Sequence, residues 1–90
     1  MSIYKKNALN QLKDTFEILL DEYRENLSQD EVFKMAKEYE IRVWKEQMES
    51  YKLIKIEDES RDIKNAIKIC KSMIKELSKI SMNEVLSTWY

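Results

Sequence analysis

The side chains that most enzymes use for acid–base or nucleophilic chemistry are scarce in this sequence. It contains no histidine, which removes the commonest general base and the commonest zinc ligand. The single cysteine, Cys70, has no histidine to activate its thiol, and its place on an apolar helix face indicates a small core residue. A chain without glycine has no glycine-rich phosphate loop. We therefore expect a protein that is not an enzyme and that holds neither a metal nor a cofactor.

Side chains suited to binding are concentrated in the stretch 30–52. At about 100° per residue, its apolar side chains cover an arc of roughly 240°, more than one packing partner can hide, and lysines lie along one edge. Aromatic rings beside lysines suit a peptide that carries a tyrosine and a phosphate, which they can hold by stacking, apolar contact and charge-assisted hydrogen bonds. We predict a peptide-binding surface of Val32, Phe33, Lys34, Lys37, Ile41 and Trp44.

Burial is the alternative for the aromatic residues of this stretch. Tyr39 lies centrally on the inner face of the predicted helix, so we expect it in the core. Phe33 and Trp44 lie on the flank, where they either pack against the third helix or contact a partner.

Composition predicts a single all-α domain, residues 1–90. The 90 residues are 43% hydrophobic and include neither glycine nor proline, which most hairpins and tight turns need. The net charge of −1 argues against a general nucleic-acid binder. One cysteine excludes an internal disulfide and favours a reducing compartment, and no stretch resembles a signal peptide or a membrane span. We expect a soluble, intracellular protein.

Periodicity and capping signals divide the chain into helices. Apolar residues in steps of three and four predict a first helix over residues 3–26, with acids on its outer side. Ser28 and Glu31 have the spacing of a capping box, so we expect a second helix over 29–52, antiparallel to the first because the connection is short. Residues 53–60 are predicted to form the longest loop, with Leu53, Ile54 and Ile56 tucked over the end of the bundle.

The predicted third helix, residues 61–80, is strongly two-sided. Its apolar face includes Cys70, and the opposite face carries Lys64, Lys68, Lys71, Lys75 and Lys79. These lysines either attract an acidic or phosphorylated partner or form a solvated face that complements the acids of the first helix. Ser81 and Glu84 have capping-box spacing and predict a short fourth helix that covers an open bundle end or frays.

The order of these elements resembles an SRI domain. The matching features are the amphipathic first helix, the acidic loop, the lysine-rich third helix and two segments of helix two, Glu31-Val32-Phe33-Lys34-Met35-Ala36-Lys37 and Val43-Trp44-Lys45-Glu46. That family forms three-helix modules in histone H3 lysine-36 methyltransferases and binds the phosphorylated C-terminal repeats of RNA polymerase II. The resemblance implies a groove of apolar and basic residues on helices one and two, and a nuclear location. By position it implies Val32, Phe33, Lys34, Lys37 and Ile41 as contacts.

Three other interpretations stay open. Ala36-Lys37-Glu38-Tyr39-Glu40 followed by Val43-Trp44 resembles the KIX domain of coactivators, which receives amphipathic activation helices. A start at Met1 without a linker suits a stand-alone inhibitor or immunity-type protein of a phage or bacterium, cytoplasmic and bound to one enzyme through its acidic face. The surplus apolar arc of helix two also suits a homodimer.

Overall fold

The protein is an all-α bundle of three long helices and one short one, as its composition predicts. A computed structural model describes residues 2–57 and 60–89. Within these ranges the helices are α1 (Ile3–Tyr23), α2 (Gln29–Glu57), α3 (Arg61–Lys79) and α4 (Met82–Ser87), and there is no strand.

A serine marks the start of each of these four helices. Both predicted capping boxes are confirmed: the Ser28 hydroxyl accepts from the Glu31 N–H at 3.2 Å and the Glu31 carboxylate accepts from the Ser28 N–H at 3.1 Å. Ser81 and Glu84 exchange the same pair of bonds, each 3.3 Å long. The Ser2 hydroxyl caps α1 and the Ser60 hydroxyl caps α3, each by accepting from an N–H three residues on.

The long helices are neighbours that share one core. α1 and α2 are antiparallel, because Gln11 contacts Trp44 and Thr15 contacts Glu40, so positions later on α1 meet positions earlier on α2. α3 packs against both, and α4 rests on α1. The core combines residues from all four helices, namely Ala8, Leu12, Phe16, Val32, Ala36, Met73, Leu77, Ile80 and Val85.

Phe16 lies at the centre of an aromatic group that joins three parts of the chain. Its ring meets Phe33 of α2 edge-on, with centroids 5.4 Å apart, and stacks on Trp89, just beyond α4, at 5.6 Å. Val85 is completely buried. The fourth helix therefore covers the bundle, which was one of the two predicted outcomes.

Helix α2 is longer than predicted, and this corrects the loop expected over residues 53–60. The helix continues to Glu57 because residues 53–57 contain no helix breaker and Lys55 lies in the last turn, where a cation is favourable. Residues 58 and 59 lie outside the described ranges. The predicted apolar anchor is also wrong: Leu53, Ile54 and Ile56 are 69%, 46% and 80% exposed.

The two-sided character of α3 is confirmed. Ile67, Cys70, Met73 and Leu77 are buried, and the five lysines opposite them are exposed. The expectation for Tyr39 is wrong, since its side chain is 48% exposed. Val32 and Ala36 of the same helix are completely buried in the core, whereas Tyr39 is not part of it.

Candidate functional site

The six residues predicted to bind a peptide do not form one exposed surface. Val32 is completely buried in the core. Phe33, Lys37, Ile41 and Trp44 are half-buried, and only Lys34 is exposed. Val32 therefore offers no surface to a ligand, and the other apolar members offer only part of their side chains.

Phe33 and Trp44 both contact side chains of α1. We had predicted that they would pack against α3 or contact a ligand. The Phe33 ring meets Phe16, and the Trp44 indole N–H donates a hydrogen bond of 3.2 Å to the Gln11 side-chain oxygen. Both side chains thus help to fix α1 against α2.

Lys37 is used inside the fold. Its ammonium donates a hydrogen bond of 2.7 Å to the carbonyl oxygen of Ile80 and lies 5.9 Å from the centre of the Phe33 ring. Burial lowers the pKa of Lys37, and the nearby charge of Glu84 partly opposes that effect. A phosphate would have to compete with the Ile80 carbonyl for this ammonium.

An open groove lined mainly by apolar side chains lies between α1 and α2. We call it the α1–α2 groove, and its volume is about 480 Å³. Its lining residues are Thr15, Ile18, Leu19, Met35, Glu38, Tyr39 and Arg42. Ile18 is 66% exposed and Tyr39 is 48% exposed, so a ligand can reach both side chains. None of the six predicted residues lines this groove.

Arg42 supplies the positive charge of the α1–α2 groove. Its guanidinium lies 5.7 Å from the centre of the Tyr39 ring, a cation–π arrangement that holds the side chain over the groove. The ion pairs within residues 2–57 and 60–89 are Lys5 with Glu84 and Lys52 with Glu49. The N–H donors of Arg42 are therefore available to an anion.

The α2 side of the groove can be recognised in the sequence from the spacing of Met35, Tyr39 and Arg42. These residues are four and three positions apart, so they line one side of α2. We predicted Tyr39 as an inner-face residue, because helical periodicity does not show how far α1 reaches around α2. The other signal is Ile18 on α1, which is four residues after Asp14 and three before Asp21 and therefore shares their side of the helix.

A second concavity, the basic groove, lies between the end of α2 and α3. Its volume is about 510 Å³, and five of its lining residues are cations: Lys55, Arg61, Lys64, Lys68 and Lys71. No carboxylate lines it among the described residues. This groove is suited to hold negative charge.

The described residues show no arrangement of catalytic groups. Cys70 is buried, and burial raises the pKa of its thiol, which disfavours the nucleophilic thiolate. Within residues 2–57 and 60–89, no three side chains of the metal-ligating types come together. In the same ranges, no helix is both long enough and apolar enough to span a bilayer.

Comparison of the chain with protein-family models, curated proteins and solved structures gave no match. The interpretation of the two grooves therefore rests on their own chemistry.

Proposed function

We propose that this protein is a non-enzymatic interaction module that binds a phosphorylated peptide in the α1–α2 groove. The observation that carries the proposal is an apolar groove with an unpaired guanidinium, that of Arg42, at its edge. This site lies beside the predicted surface on the same helix and replaces it.

The apolar wall of the groove suits a tyrosyl or aliphatic side chain. Ile18, Leu19 and Met35 provide aliphatic and thioether contacts, and the Tyr39 ring provides a face or edge for an aromatic partner. A concavity of about 480 Å³ has room for one or two side chains of an extended peptide.

The polar groups of the groove suit an anion next to that side chain. Arg42 presents a planar fork of donors that matches phosphate oxygens in pairs. Lys34 is exposed and precedes Glu38 by one helical turn, so it adds a cation on the outer side of α2. Glu38 accepts from a peptide N–H or a tyrosine hydroxyl.

The phosphorylated C-terminal repeats of RNA polymerase II are the ligand that the resemblance to SRI domains implies. The α1–α2 groove supports this proposal because it combines an aromatic-lined wall with a free guanidinium. An amphipathic activation helix, the ligand of KIX domains, would use the apolar wall without requiring phosphate. Phosphate dependence separates the two.

The test is a titration of the protein with fluorescent repeat peptides in doubly phosphorylated and unphosphorylated forms, followed by anisotropy. We expect the phosphorylated peptide to bind more tightly, and Arg42→Gln to weaken it about tenfold, equivalent to 1.4 kcal/mol. Tyr39→Ala should weaken both peptides. Arg24→Gln, which removes an exposed arginine that lines neither the α1–α2 groove nor the basic groove, is the matched control and should leave binding unchanged. Equal affinity for the two peptides, or no binding, would remove the phosphopeptide proposal.

A second candidate function is inhibition of one enzyme through the acidic face of α1. The observation in its favour is that Asp14, Glu17 and Asp21 are exposed and form no ion pair with another described residue. Phage or toxin genes next to the gene would favour it. The decisive result would be an enzyme that this protein inhibits at equimolar ratio and that escapes inhibition by an Asp14→Lys, Asp21→Lys variant.

A further inference from the structure

Two stripes of opposite charge lie on different helices of this protein. The acidic stripe consists of Asp14, Glu17 and Asp21 on α1, all exposed. The basic stripe consists of Lys64, Lys68 and Lys71 on α3, also exposed, and its three side chains line the basic groove. The two kinds of charge thus lie on separate helices, although the chain as a whole carries a net charge of only −1.

The two stripes do not neutralise each other within one molecule. The ion pairs among residues 2–57 and 60–89 involve Lys5, Glu84, Lys52 and Glu49, and none of these belongs to either stripe. The predicted role of the α3 lysines as a complement to the acids of α1 is therefore not realised by contacts inside the chain. Both faces remain available to another molecule.

The stripes match each other in length. The first and last charges are seven residues apart in each, which corresponds to about 10 Å along a helix. Two such helices laid side by side can bring each carboxylate opposite an ammonium. One copy of this chain therefore carries a surface complementary to the α3 surface of another.

The acidic face also includes an exposed aliphatic side chain. Ile18, which is 66% exposed, lies between the acids of α1. A protein partner can bury this side chain, whereas a nucleic-acid backbone cannot.

A nucleic acid fits the basic groove less well. Among the described residues, no aromatic ring on which a base would stack lines this groove. Two copies of a chain with net charge −1 have almost no overall repulsion to overcome.

We propose that the basic stripe of one molecule binds the acidic stripe of a second copy of the same chain. A two-fold symmetric pair that makes this contact twice is closed and ends at a dimer. Because the charges are at the surface, the association is weakened by salt, whose screening length falls from about 30 Å at 0.01 M to about 3 Å at 1 M.

The experiment is sedimentation equilibrium of the full chain over a concentration series, in low and in high salt. In low salt we expect the apparent mass to rise from 10.9 kDa toward twice that value, and in high salt to return to the monomer. Reversal of the basic stripe (Lys64→Glu, Lys68→Glu, Lys71→Glu) or of the acidic stripe (Asp14→Lys, Glu17→Lys, Asp21→Lys) should each abolish the rise. The variant that combines all six substitutions keeps the net charge of −1 and should dimerise again.

A matched control changes the same amount of charge elsewhere. Lys6, Lys34 and Lys45 are exposed and lie outside both stripes, so their reversal to glutamate should leave dimerisation intact. Circular dichroism of each variant establishes that it is folded. A monomer at every concentration in low salt, an equal effect of the control, or no recovery in the six-fold variant would overturn the proposal. Mass is measured without peptide, so this outcome is independent of the peptide titration.

Discussion

The side-chain ammonium of Lys37 donates a hydrogen bond of 2.7 Å to the backbone carbonyl of Ile80, the C-cap residue that follows α3. The last carbonyls of a helix have no partner within the helix, so this bond satisfies one of them from a neighbouring element. It ties the first half of α2 to the junction between α3 and α4.

We predict that Lys37→Met lowers the free energy of unfolding by about 1 kcal/mol, because methionine keeps the aliphatic packing and removes the donor. Lys34→Met is the control: Lys34 is exposed one turn earlier on the same helix, and its replacement should change stability by less than about 0.5 kcal/mol. Urea denaturation measures both. Equal effects of the two substitutions would show that the bond to Ile80 contributes nothing.

Glu40 is the buried charged residue of the described core, 9% exposed, and the Thr15 hydroxyl donates a hydrogen bond to its carboxylate. We predict that Thr15→Val costs about 1–3 kcal/mol, because valine has the shape of threonine and leaves the carboxylate without its donor. The double variant Thr15→Val, Glu40→Met should recover much of that loss, since replacement of both partners by apolar groups removes the unpaired charge. A double-mutant cycle by thermal denaturation measures the coupling free energy between Thr15 and Glu40. If the losses of the two single variants simply add in the double variant, this hydrogen bond does not contribute as predicted.

The exposed aliphatic residues near the end of α2 should contribute little to stability. We predict that Leu53→Gln and Ile56→Gln each change the free energy of unfolding by less than about 0.5 kcal/mol, since glutamine is a good helix former and neither site is buried. Ile67→Gln is the contrasting variant: Ile67 is 8% exposed, and the change should cost about 3 kcal/mol. A large loss at Ile56 would mean that this residue packs against the bundle, as the sequence suggested. Measurements in high salt keep association out of the comparison.

The two capping boxes should weaken in acid. The backbone N–H of Ser28 lowers the pKa of Glu31, and the backbone N–H of Ser81, followed by Lys5, lowers the pKa of Glu84. A carboxyl whose pKa is lower in the folded state stabilises the fold at pH values above its unfolded pKa, about 4.3. That contribution is lost as the pH falls through the folded-state pKa.

We predict that the stability difference between the wild type and the Glu31→Gln, Glu84→Gln variant is largest near neutral pH and shrinks as the pH falls below about 4.3. Glutamine can still accept the hydrogen bond at the N3 position of a capping box. The variant therefore keeps the cap and removes mainly the ionisable carboxyl group. Urea midpoints at a series of pH values provide the measurement. Glu17→Gln, at an exposed position outside any helix cap, should follow the wild type throughout. A difference that stays constant with pH would contradict the assignment.

Local signals in the sequence predicted most of the fold. The caps at Ser28 and Ser81, the buried face of α1 and the two faces of α3 all depend on residues within a few turns of each other, and all are confirmed. The end of α2 was not predictable in the same way. The acids after Ile56 and the break in periodicity at Leu53 suggest a loop, whereas the chain continues as a helix in the absence of any breaker.

The candidate site was less predictable because it depends on how two helices meet. Helical periodicity identified α2 as the helix with surplus apolar surface, and the α1–α2 groove does use that helix. Periodicity does not specify which part of that surface α1 covers. Val32 was therefore assigned to the peptide-binding surface and Tyr39 to the core, whereas Val32 is buried and Tyr39 is exposed. Lys37 shows the same limit, since its partner Ile80 is 43 residues away in the chain.

The serines at the helix starts have a consequence for how this sequence can be altered. Each hydroxyl accepts a hydrogen bond from the backbone N–H only three residues ahead, at Ser2, Ser28, Ser60 and Ser81. The residues that determine where each helix begins therefore lie within one tetrapeptide. Each boundary can thus be erased or moved independently of the others. An engineer who lengthens a connection in this chain can keep the register of the next helix by carrying its tetrapeptide along.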